Sequence, residues 1–325
     1  MTDLRRRLLA GLALGFVVLL VLFFVGDARQ VTGRLAHFRW TLAPLVLACT
    51  LFNYTLRFIK WHFYLHQIGA GDLPLRDSAR LFVGGFPLAV TPGKVGEVLK
   101  AVWLHQKTGT SVPRGVTVVL AERISDGLAV LVLSTLGVVA YPRYAPAFAA
   151  ALGVLIGIIA VSQIRPLALR LLDWAQRIQG VRRMAGGLRE LYEGSHALFR
   201  PRATLVAVGL GTLSWLGEGV GFYLILVGLG VPDGWGTVGK AVFILSFATV
   251  VGALSTLPGG LGAAEGTIAG MLAIVLGLPA STAAAATLLI RFATLWFGVT
   301  LGLLVWARSP ELLGLANARK STDPT

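Results

Sequence analysis

The sequence predicts an all-α polytopic membrane protein: about six transmembrane helices plus two re-entrant helical hairpins, arranged as an inverted repeat. Three observations predict it. Of 325 residues, 55% are hydrophobic and only 14% charged, where a soluble domain carries about 25% charged residues. Apolar residues gather into runs of the roughly 20 that a helix needs to cross a hydrocarbon core of about 30 Å. A set of uncommon residues also recurs in the same order in the two halves of the chain.

The first run, 8–26, follows Arg5, Arg6 and Arg7 and resembles a secretory signal. It is longer than a usual signal core, and the small residues near Asp27 make a poor cleavage site, so a retained helix is predicted. Further spans are predicted at 42–66, 115–139, 145–163, 203–229 and 282–306. Two other apolar regions are interrupted. In 79–106 the break is Thr91-Pro92-Gly93-Lys94-Val95-Gly96, and in 241–278 it is Pro258-Gly259-Gly260-Leu261-Gly262. Arms this short or broken predict re-entrant hairpins.

The net charge of +14 would suggest nucleic acid in a soluble protein. Here most of the Lys and Arg residues lie between apolar runs and follow the positive-inside rule, so no nucleic-acid partner is expected. With the amino terminus in the cytoplasm, the outer loops hold only Arg29, Arg34, Arg39, Arg143 and Lys240, which predicts that both termini are cytoplasmic. Lys60 and Lys100 are counted among the inner-side charges, and Arg57 is read as snorkelling to that surface. Residues 1–310 read as one transmembrane domain, its halves meeting near 140, and 311–325 as a flexible cytoplasmic tail. The basic stretch 165–202 reads as amphipathic helices on the inner leaflet, broken near Gly180 and Gly186-Gly187. Cys49 is the one cysteine, so no intrachain disulfide forms.

The repeat is the most informative feature. Phe63-Tyr64-Leu65 with Gly69 and Gly71 recurs as Phe222-Tyr223-Leu224 with Gly228 and Gly230. Pro92-Gly93 with Gly96 recurs as Pro258-Gly259 with Gly262, and Pro113 and Pro279 follow at one spacing. Glu97 and Glu265 come next, then the intramembrane arginines Arg123 and Arg291. Three predicted crossings separate the copies, so the second is inverted. Inverted repeats with broken helices point to a transporter whose site lies between the repeats.

Charges within apolar spans cost roughly 2.5–3.5 kcal/mol each at a helix centre on insertion scales, and so mark candidate sites. They are Glu122, Arg123, Asp126, Glu218 and Arg291, with Glu97 and Glu265 beside the tips. A structural role would pair Arg123 with Asp126, or Arg291 with Glu265. A functional role would set the arginines against an anionic headgroup. The tips Pro92, Gly93, Gly96, Pro258, Gly259, Gly260 and Gly262 would direct helix N-termini at phosphate, with Lys94 adding a charge. His62 and His66 have a metal-ligand spacing without a third ligand, and read with Trp61 as interfacial anchors. No catalytic, metal or cofactor motif is found.

As a set, Thr91-Pro92-Gly93-Lys94-Val95-Gly96-Glu97-Val98-Leu99-Lys100, Glu122-Arg123 with Asp126, and Leu257-Pro258-Gly259-Gly260-Leu261-Gly262 with Glu265 resemble the lysylphosphatidylglycerol synthase transmembrane-region family of flippase-like proteins. The resemblance covers roughly 8–310. It implies a bacterial or archaeal inner-membrane protein that moves a modified lipid between leaflets. Two-part members also carry an aminoacyl-transfer domain. This sequence ends about twenty residues after its last predicted span, so lysylphosphatidylglycerol synthesis is not expected. The expected activity is translocation of an anionic or modified phospholipid, glycolipid or isoprenoid lipid. The alternatives are a membrane enzyme or subunit acting on headgroups, with Glu97 or Glu122 as base, and a scaffold that docks a soluble biosynthetic enzyme through 165–202. Membrane lipids are the expected partners, with a homo-oligomer allowed.

Overall fold

The computed structural model describes residues 2–91, 96–138, 145–164, 170, 185–309 and 312. Thirteen α-helices lie among them. The first half comprises α1 (Thr2–Val25), α2 (Ala28–Ala36), α3 (Ala43–Gln67), α4 (Leu75–Gly84), α5 (Leu99–Thr108) and α6 (Val112–Val138). The second comprises α7 (Ala145–Gln163), α8 (Ala185–Leu198), α9 (Pro201–Gly228), α10 (Trp235–Leu254), α11 (Ala263–Leu276), α12 (Ala280–Arg291) and α13 (Phe297–Arg308). A π-helical turn, Phe292–Trp296, joins α12 and α13 into one rod.

Local sequence explains many of the boundaries. Asp27 caps α2 by accepting from the N–H groups of Arg29 and Gln30. Pro44, Pro113 and Pro201 lie in the first turns of α3, α6 and α9, where a missing N–H costs nothing. Gly109 and Gly277 end α5 and α11 in the left-handed conformation.

Among the described residues six helical segments are long and apolar enough to cross a membrane: Leu8–Val25, Trp40–Gln67, Pro201–Gly228, Trp235–Leu254, Pro258–Leu276 and Ala280–Arg308. The protein is therefore all-α and multi-pass. The stretches predicted as spans at 115–139 and 145–163 are helical, as α6 and α7 of 27 and 19 residues, but neither is among those six segments, which instead include both arms of the second interrupted region. The two interrupted regions differ from each other. The arms of the first, α4 and α5, have ten residues each, about 15 Å and half the hydrocarbon thickness. The second departs from expectation, because its arms have 20 and 19 residues and neither is short. Helix α10 begins at Trp235, before the apolar run, and carries Lys240 exposed on its surface. Lys240 is thus a helix residue, although its charge reads as a loop.

The packing repeats with the halves exchanged. Helices α1 and α2 pack on α12, as α7 and α8 pack on α6; α4 packs on α13, as α10 packs on α6. Helices α3 and α9 pack on each other at the centre. A Cβ on Gly221 would lie 3.2 Å from Cys49 Cβ, one on Gly217 2.7 Å from Phe52 Cδ1, and one on Gly211 3.6 Å from Lys60 Nζ. The Asn53 side-chain amide donates to the Ser214 carbonyl at 3.0 Å between them. Numbers rise along α3 as they fall along α9, so these two equivalent helices are antiparallel, as an inverted repeat requires. Glycine at 217 and 221 permits the close approach.

Helix α8 runs through Gly186 and Gly187, which lie in its first turn and do not break it. Gly180 and half of the basic stretch, 165–169 and 171–184, lie outside the described residues. So do the junction at 139–144 and the tail, apart from Leu312, whose carbonyl accepts from Trp103 Nε1 at 2.9 Å.

Candidate functional site

A cavity of about 420 Å³ lies between the two halves. Tyr54 and Arg57 of α3, Phe82 of α4, Arg123 and Asp126 of α6, Val154 and Leu155 of α7, Trp215 and Glu218 of α9, Thr249 and Leu254 of α10, and Arg291 of α12 all line it. Glu97 and Lys100 reach it from beyond the first tip. Charged groups and aliphatic wall thus share one space.

The predicted charges are brought together, though not always with the predicted partners. Arg291 Nε lies 2.6 Å from Glu265 Oε1, and Glu265 Oε2 accepts the Gly262 N–H at 2.7 Å. The N-terminus of α11 is therefore engaged by its own glutamate, where the sequence suggested a phosphate. In the first half Arg123 Nε pairs with Glu97 at 3.1 Å. Its predicted partner Asp126 is held by Lys60 Nζ, with Arg57 Nη2 at 3.6 Å. Glu122 pairs with Lys100 Nζ at 2.7 Å. In both halves the arginine follows its glutamate by 26 positions, so the repeat extends to the ion pair itself.

Three basic residues were misplaced by sequence reasoning. Lys60 and Lys100 are 0% and 4% exposed, so neither is an inner-surface charge. Arg57 turns toward Asp126 and the cavity instead of snorkelling. Trp61 is wholly buried with its Nε1 on Ser78 Oγ at 3.2 Å, and Lys100 Nζ sits 4.4 Å from its ring centre in a cation–π contact. It is a core residue, not an interfacial anchor. The His62 and His66 rings lie 4.9 Å apart, and His62 Nδ1 is 3.2 Å from Ser78 Oγ.

The tips meet. Gly259, Gly260 and Gly262 have φ of +61°, +68° and +85°, a run that only glycine adopts readily. A Cβ on Gly259 would lie 3.5 Å from Val90 Cγ1 and 3.7 Å from the Ala89 carbonyl, at the end of the first hairpin's leading arm. Arg291 Nη2 donates to the Gly259 carbonyl at 3.2 Å, fastening the second tip. Gly96 donates its N–H to Thr91 Oγ1 at 3.0 Å across the first. Pro92, Gly93 and Lys94 lie outside the described residues.

With this geometry in place, the comparison that decides the family is the match of residues 8–302 to the lysylphosphatidylglycerol synthase TM region. The chain belongs to that family. A UPF0104 membrane protein of Methanothermobacter thermautotrophicus is 26% identical over 310 residues, covering 88% of each chain. No solved structure matches this family member. Its match runs from α1 into α13, so both tips and all the paired charges fall within the family's common region.

Proposed function

We propose that this protein is an inner-membrane lipid translocase. An anionic or modified headgroup would pass through the cavity between the halves while its acyl chains stay in the bilayer, and the lipid would leave chemically unchanged. The observation that carries the reading is one cavity that Arg123 and Arg291, equivalent residues of opposed halves, both line alongside aliphatic side chains. Guanidinium groups suit phosphate oxygens, and each arginine is already steadied by a glutamate. The first hairpin enters from the cytoplasmic side and the second from the opposite side, and their tips meet as a central gate. Rocking of one half against the other exposes the cavity alternately. Both termini face the cytoplasm.

The test is dithionite reduction of tail-labelled phosphatidylglycerol in liposomes holding the purified protein. Reduction should extend beyond the outer leaflet's share, and mass spectrometry should return the lipid unmodified. Arg123→Ala with Arg291→Ala should slow it severely; an unchanged rate would remove the arginines from the mechanism. Failure of the wild-type protein to move any of the lipids tried would end the reading, and a modified headgroup would favour the enzyme alternative.

A further inference from the structure

We propose that Glu218 is a proton site, so that the cavity takes up one proton with each monoanionic headgroup. This rests on the translocase reading. The charged groups that line the cavity, with the described residues they pair to, are five cations and five carboxylates. Four of the carboxylates have a cation within 4.0 Å. Glu218 has none among the described residues, is 8% exposed, and lines the cavity from α9.

Its surroundings leave it unneutralised. Tyr54 and Arg57 of α3, Asp126 of α6 and Arg291 of α12 face it. Arg57 is shared with Asp126, Arg291 is held by Glu265, and the Tyr54 hydroxyl donates to the Thr294 carbonyl at 2.7 Å. Helix α10 presents Thr249 and aliphatic side chains to the same space, and no ionisable group.

The charge balance then decides what can enter. Among the described residues the lining is neutral with Glu218 ionised, and an incoming phosphodiester adds an uncompensated charge to them in a largely apolar space, at a cost of several kcal/mol. With Glu218 protonated the lining carries one positive charge, and the monoanion restores neutrality. The proton comes from water on the side to which the cavity is open, onto a Glu218 carboxyl oxygen, and returns to water when the lipid leaves. Each ligand raises the affinity for the other, by reciprocal linkage.

The experiment uses the full chain in detergent with dihexanoyl phosphatidylglycerol. Binding is read by tryptophan fluorescence, since Trp215 lines the cavity, and proton uptake by a pH indicator in weakly buffered solution. The wild-type protein should take up about one proton per lipid bound, and its affinity should fall about tenfold per pH unit where Glu218 must be protonated to bind. Glu218→Gln should bind without proton uptake and with no such slope. Wild-type binding without proton uptake overturns the proposal whether or not the variant folds. A Glu218→Gln protein that keeps the wild-type slope overturns it too. Binding is read without vesicles, so absent lipid movement in liposomes ends the translocase reading and leaves the proton count standing; no binding at any pH ends both.

Discussion

Removing the Glu265 carboxylate should destabilise the protein by about 4–6 kcal/mol, from two separable causes. The side chains of Glu265 and Arg291 are 2% and 14% exposed, so Glu265→Ala strands a guanidinium that retains, among the described residues, its 3.2 Å bond to the Gly259 carbonyl. Breaking a buried pair from one side costs about 3–5 kcal/mol. The same substitution removes the acceptor of the Gly262 N–H at the start of α11, and a lost cap costs about 1 kcal/mol. Glu265→Gln keeps a capping group and should recover only that last part. Arg291→Ala should cost about 3 kcal/mol, because Glu265 keeps the Gly262 N–H. Combining Glu265→Ala with Arg291→Ala removes both charges, and the cost should fall short of the sum by about 2–3 kcal/mol. Unfolding in mixed micelles with increasing dodecyl sulfate, followed by circular dichroism, gives the four free energies of the cycle. A double variant whose cost equals the sum to within about 0.5 kcal/mol would refute the coupling.

Two further substitutions test the packing. Gly221→Cys should form a disulfide with Cys49 under mild oxidation, since its Cβ would lie 3.2 Å away, near the roughly 3.5–4.5 Å that disulfides span. Gly209→Cys, in open space, should not; maleimide labelling and peptide mass spectrometry read both, and an unlinked Gly221→Cys protein would contradict the antiparallel packing of α3 on α9. Gly11→Ala places a Cβ 2.0 Å from the Val90 carbonyl oxygen and should cost about 1–3 kcal/mol in the same unfolding assay. Gly33→Ala, which meets nothing within 4 Å, should stay within about 0.5 kcal/mol of wild type, and equal effects would place α1 away from the first tip.

The class of fold was legible because bilayer thickness is a length that a sequence either meets or does not. Helices α3, α6, α7 and α9 begin and end within three residues of expectation. The equal Glu-to-Arg spacing also announced the two tip pairs, although only the second was proposed as a pair. Lys60 and Lys100 were misread for a shared reason. Each lies toward one end of an apolar run, where a surface lysine would also lie, and each is buried by a carboxylate far along the chain, 66 positions away for Lys60 and 22 for Lys100. One signal for Lys60 was available. It stands seven residues before the end of α3, about 10 Å into a helix rising 1.5 Å per residue, deeper than an interfacial lysine needs to be. The long second hairpin was hidden because Lys240 looked like a boundary.

Repetition also separates the charges that the fold needs from those it does not. The Glu97–Arg123 and Glu265–Arg291 pairs occur in both halves, and each ties a tip to the helix that closes its half. Counting from these, Lys100 and Glu122 correspond to Ile268 and Ile290, both 1% exposed in one apolar cluster. Asp126 corresponds to Thr294 on the same count; counting instead from Phe63-Tyr64-Leu65 and Phe222-Tyr223-Leu224, Lys60 corresponds to Gly219 and Glu218 to Ile59. The second half thus builds the same arrangement of helices with apolar or neutral residues where the first has ion pairs. A buried pair replaced by well-packed hydrophobic residues is often neutral or stabilising. Folding alone therefore gives no reason for Lys60, Lys100, Glu122, Asp126 or Glu218. What these five share is the cavity, which each either lines or reaches through its ion-pair partner. The reason for their presence lies in what that cavity holds.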